Sequence, residues 1–98
     1  MAADDTRAIP LPDPAWVIEQ LAEANPEAVL FDGLEAALIG LGTQQLRPPL
    51  AVYDHQLMLE VFVAQGMSEE DALEWIGFNV EGLWAGEGTP LILNRPEL

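Results

Sequence analysis

Apolar positions along the chain fall into short periodic runs, separated by glycines, prolines and acidic residues. Val17, Leu21 and Ala24 recur at i, i+4 and i+7, with Ile18 and Ala22 beside them, and predict a short amphipathic helix. Asp13 is placed to cap it, Pro14 suits its first position, and Asn25-Pro26 stops it. After the Asp32-Gly33 turn, the apolar stretch Ala37–Thr43 reads as a strand. Its glycines at 40 and 42 would let a helix approach closely or mark a bulge. Pro48-Pro49 cannot join a ladder, so Gln44–Pro49 is a loop, and Leu50–Tyr53 is a second strand.

Asp54 is an N-cap candidate for a helix over His55–Gln65, with Gly66 where a left-handed C-cap is expected. This helix is apolar on more than one side, through Leu57, Met58, Leu59, Val61, Phe62 and Val63. Ser68 then heads a Ser-x-x-acid capping pattern, and Glu69, Glu70 and Asp71 complement the helix dipole. Ala72, Leu73, Ile76, Val80 and Leu83 are the expected buried face of that helix, with Glu70, Glu74 and Glu81 off it. Gly86 and Gly88 break the chain, and Thr89–Asn94 reads as a last strand with Pro90 near its start. The order helix, strand, strand, helix, helix, strand predicts an α+β fold. The expected form is a small, three-stranded, largely antiparallel sheet, with a helical hairpin on one face and an N-terminal helix. Residues 1–13, with alternating Pro10 and Pro12, read as an N-terminal tail, 14–94 as one domain, and 95–98 as a C-terminal tail.

Charge narrows the function. Three arginines, no lysine and 17 acidic residues give a net charge of −14 over 98 residues. Half the residues are apolar, which argues against disorder. Three cations cannot neutralise many phosphates, which argues against direct nucleic-acid binding. No apolar run reaches the ~18 residues of a membrane span, and the acidic N-terminus lacks a signal-peptide pattern, so the expected location is the cytoplasm. Without cysteine there is no disulfide or thiolate metal site.

Catalytic chemistry finds little support. His55 is the lone histidine, and no nucleophile or second histidine accompanies it, so it reads as a first-turn residue. The glycines precede no lysine and make no phosphate cradle. The expectation is a chain that is not an enzyme and needs no cofactor or metal. The excess of acid would steer it toward basic surfaces, which in a cell are mostly those that grip nucleic acid. Glu69, Glu70, Asp71, Glu74, Glu81 and Glu87 are the candidate partner-binding residues, with Trp75 as an apolar anchor. Trp16, Trp75 and Trp84 are otherwise expected in the core or half-buried. Leu59 and Val63 exceed what one core needs and are the candidate interface of a homodimer.

A set of short pieces resembles a known family. They are Asn25-Pro26-Glu27-Ala28, Asp32-Gly33 with Ala37-x-Ile39-Gly40, Tyr53-Asp54, Gly66-Met67-Ser68-x-Glu70-x-Ala72, Phe78-Asn79-x-x-Gly82 and Gly86-Glu87-x-Thr89-Pro90. Over about residues 25–93 the chain resembles a family of small acidic proteins encoded by phages, prophages and plasmids. It is also similar to the C-terminal part of a larger type V anti-CRISPR protein. The resemblance implies the α+β layout and a partner in a nucleic-acid-binding defence complex, and assigns no catalytic residue. It further implies a core role for Phe78 and a backbone-bonding role for Asn79. Relatives carry an arginine near the place of Gln44 and a lysine at that of Leu57, so this chain has lost two cations. The functional expectation is an acidic inhibitor that occupies a basic surface. The alternative is a non-catalytic homo-oligomeric structural or regulatory protein.

Overall fold

Side-chain caps start each of the three α-helices among the described residues. In the computed structural model, which describes residues 12–96, Asp13 Oδ1 accepts from the Ala15 amide (2.9 Å) at the head of α1, Pro14–Ala24. Asp54 Oδ1 accepts from Leu57 N (2.9 Å) at the head of α2, His55–Ala64. Ser68 Oγ accepts from Asp71 N (3.1 Å) at the head of α3, Glu69–Ile76. Each bond satisfies an amide that has no partner within its own helix. Gly66, at φ +107°, turns the chain between α2 and α3 in a conformation that costs other residues more. Most of the expected N-terminal tail, residues 1–11, and positions 97–98 lie outside the described residues.

The fold is α+β. A 3₁₀ turn, Glu35–Ala37, leads into β1, Leu38–Gly42, followed by β2, Leu50–Asp54. The third strand, β3, is Leu91–Leu93, and β2 lies between the other two. β1 pairs antiparallel with β2, with a register shift between Leu38 and Gly40 that marks a bulge. Leu38, Leu41, Ala51, Tyr53 and Ile92 share the face toward the helices. There they meet Val17 and Leu21 of α1, Met58 and Leu59 of α2, and Ala72 and Ile76 of α3. Tyr53 is buried at the centre. Its ring lies 4.9 Å from that of Phe31, and its hydroxyl accepts from the Phe31 amide (2.9 Å).

The sheet is mixed where a largely antiparallel one was expected, because β2 and β3 run parallel. A helical hairpin alone returns the chain to the end of β2 at which it began. Here the stretch 82–90 carries it back to the start of β2 before β3 begins. Gly88 O accepts from Val29 N (2.9 Å), and Asn25 Nδ2 donates to Pro49 O (2.9 Å), which ties that end together. β1 and β3 are shorter than their apolar runs. Ala37 belongs to the 3₁₀ turn, and Thr89 is held in a turn by Gly86 O. The bulge expectation for the glycines of β1 holds, but side chains fill the space over Gly42: a Cβ there would meet Leu91 and Val52.

Several apolar side chains expected inside are outside. Past Ile76 the helix widens into a π-turn, Gly77–Glu81, closed by Gly82 N to Gly77 O (3.1 Å). Val80 stays in the core one turn after Ile76, Phe78 falls on the opposite side with Glu70 and Glu74, and the turn ends before Leu83 can follow. Phe78 is 79% exposed, and Leu73 and Leu83 are exposed as well. Of the three tryptophans, Trp16 at 52% and Trp75 at 47% exposure are about half-buried, within the expectation, whereas Trp84 at 75% is not. Leu59, a candidate for the homodimer face, is 6% exposed and belongs to the core, whereas Val63 stays exposed. Arg95, expected to trail off, ion-pairs through Nε with Oδ2 of the buried Asp54.

Asp54→Ala removes a cap and a buried ion-pair partner together. It should lower the unfolding free energy by about 1–3 kcal/mol in urea titrations followed by circular dichroism; an unchanged midpoint would contradict the role given to this carboxylate. Burial pushes the Tyr53 hydroxyl above its ordinary value of 10.0; the Phe31 amide opposes this, and the charges of Glu35 and Asp32 add to it. The unfolded chain therefore loses this proton first, and stability should fall as pH rises through 10.0 toward the folded-state value. With one tyrosine in the chain, tyrosinate absorbance reads the titration directly, and a midpoint at or below 10.0 in the folded protein would refute it.

Candidate functional site

α3 sorts its side chains by helical geometry. Ala72 and Ile76 are buried, and positions 70, 74 and 78 fall on the opposite side at i, i+4 and i+8. Glu69, Glu70, Asp71 and Glu74 are all exposed, and three of them sit in the first turn, where they favour the helix dipole. Among the described residues, no cation pairs with any of these four. Trp75 lies one turn beyond Asp71, and Phe78 one turn beyond Glu74. The Trp75 ring meets Phe62 of α2 edge-on at 6.4 Å, and Asn79 Nδ2 donates to Trp75 O (3.2 Å), bonding backbone near the helix end as expected. Glu69, Glu70, Asp71, Glu74 and Trp75 thus stand together on one helix.

Glu81 and Glu87 are placed differently. Glu81 ends the π-turn, with its carboxylate 3.8 Å from Nε2 of His55 in the first turn of α2. That pair is ionic only while His55 is protonated. Glu87 lies in the loop before β3 and does not belong to the α3 surface. It lines a cleft of about 490 Å³ near the start of β2, together with Asn25, Glu27, Gln44 and Arg47. Leu50 and Leu91 supply apolar wall, and the backbone at Gly42 also lines it. Asn25 Oδ1 also accepts from Glu27 N (3.2 Å), so both ends of its amide fix the rim. Sequence reading passed over this cleft. Its lining comes from three separated segments, and only the paired loop signals, Pro48-Pro49 and Gly86/Gly88, hinted at converging turns.

Among the described residues, no three His, Cys, Asp or Glu side chains gather as a metal ion would require. No helix there is long and apolar enough to cross a membrane. No protein-family profile, curated protein or solved structure matches this chain.

The cleft depends on a close backbone approach. A Cβ on Gly88 would collide with the carbonyl oxygen of Glu27. Gly88→Ala should therefore push the loop away and cost about 1–3 kcal/mol in denaturant unfolding, typical of overpacking. Gly40→Ala has nothing within 4 Å of its added Cβ and serves as the control; equal losses in the two variants would remove the argument.

Proposed function

We propose that the chain is a mobile-element-encoded acidic inhibitor. It acts without catalysis in the host cytoplasm, by occupying the basic surface of a nucleic-acid-binding defence effector. One observation carries the reading: Glu69, Glu70, Asp71 and Glu74 stand exposed on one helix, unpaired with any cation among the described residues, beside the exposed Trp75 and Phe78. A surface built only for solubility spreads charge and hides its aromatic rings. Here the two lie together, the anatomy of a partner-facing patch. The net charge of −14 favours fast approach to a basic groove, and like charge repels nucleic acid itself. The resemblance of the short motifs to those of the phage, prophage and plasmid proteins gives the reading its biological setting. The homo-oligomeric alternative is weaker, since Leu59 is taken up by the core and only Val63 remains of its interface.

The test is capture of the tagged protein's partner from its host, elution in salt steps, and competition against that partner's nucleic acid. Release by moderate salt and displacement of the nucleic acid are expected, because exposed charges are screened. Reversing Glu70, Glu74 and Glu81 to lysine should weaken binding at least about tenfold. Unchanged competition by the triple variant would sink the acidic-face mechanism.

A further inference from the structure

The outer face of α3 and the π-turn that continues it carries two adjacent rows, each a carboxylate followed one turn later by an aromatic ring: Asp71 then Trp75, and Glu74 then Phe78. Phe78 is 79% exposed, and Trp75 is 47% exposed although one edge meets Phe62. Phe78 is left almost open, and Trp75 keeps about half of its surface free. A hydrophobic occupant would have to desolvate the acids around them, and an ammonium would use the carboxylates but, being compact and strongly hydrated, would gain less from the rings than a planar cation does. A guanidinium uses both. It is planar and weakly hydrated, it stacks on an aromatic face, and its fork of N–H donors reaches a neighbouring carboxylate. We infer that Trp75 and Phe78, with Asp71 and Glu74, form a seat for arginine side chains of a protein partner, a conclusion that rests on the basic-partner reading and names its chemistry. Charge complementarity selects the occupant: the chain has 17 acidic residues against three arginines, and a second copy would bring the same negative face.

The seat is tested on the full chain by calorimetric titration with an oligoarginine peptide and an oligolysine peptide of equal length. Charge alone would bind both alike, so tighter binding of oligoarginine by about fivefold or more is expected from ring stacking. Trp75→Ala and Phe78→Ser should each weaken oligoarginine binding about two- to fivefold and weaken oligolysine binding distinctly less. Trp75→Ala exposes Phe62 and can disturb the fold. The more exposed Phe78 carries the test independently, with circular dichroism confirming its fold. Equal affinity for the two peptides, equal losses for both in the ring variants, or no binding of either would overturn the seat. Equal affinities that vanish on reversal of Glu70 and Glu74 would overturn the seat and leave the acidic-face reading standing. Arginine preference without competition at a captured effector would uphold the seat and remove the effector as its partner.

Discussion

The carboxylate of Asp54 sits where three parts of the chain meet. It ends the central strand, caps the helix that follows, and ion-pairs with Arg95 just beyond the last strand. A charge buried this deeply is tolerable only when its oxygens have partners, and here each oxygen serves a different segment. Oδ1 fixes where α2 starts, and so directs Met58 and Leu59 at the core. Oδ2 holds the chain after β3, which has only three residues of ladder with which to stay in place. Tyr53, the preceding residue, does the same for the opposite side through Phe31. Two adjacent side chains of β2 thereby hold the chain before β1 and after β3.

This arrangement leaves the molecule with two unlike sides. The helices cover one face of the sheet, and the other keeps Leu50 and Val52 half-buried and Leu91 and Leu93 exposed. The cleft with Arg47 opens beside that second face. The unpaired acids of α3 belong to the helical layer, where the core demands only Ala72 and Ile76 from the helix and leaves the rest free for contact. Fold and candidate site therefore make few competing demands on the same residues. Changes at Glu70, Glu74 or Phe78 should report on binding rather than on folding.

Sequence reading reached the elements because their signals are local. Asp13, Asp54 and Ser68 announce their helices within three residues, and Gly66 and Pro49 mark breaks at their own positions. What escaped it depends on distant partners. The parallel pairing of β3 follows from where Gly88 docks, against a segment some sixty positions earlier (Glu27 and Val29). The exposure of Leu83 follows from the helix ending in a π-turn at Glu81, which no simple apolar period encodes. Arg95 looked like tail because its partner is 41 positions away, from 95 − 54. Of the site, the acids of α3 were legible as a helix start with charge to spare, whereas the alternation of carboxylate and ring needed the helix to be placed against the core first.

The tryptophans have a practical consequence of their own. All three are about half exposed or more, and only the tyrosine is fully enclosed. Indole emission responds mainly to changes in hydration, and these rings are already wet in the native state. Intrinsic fluorescence should therefore change less on unfolding than in a chain whose indoles are enclosed. The same property makes it a sensitive reporter of anything that lands on α3 and dries Trp75.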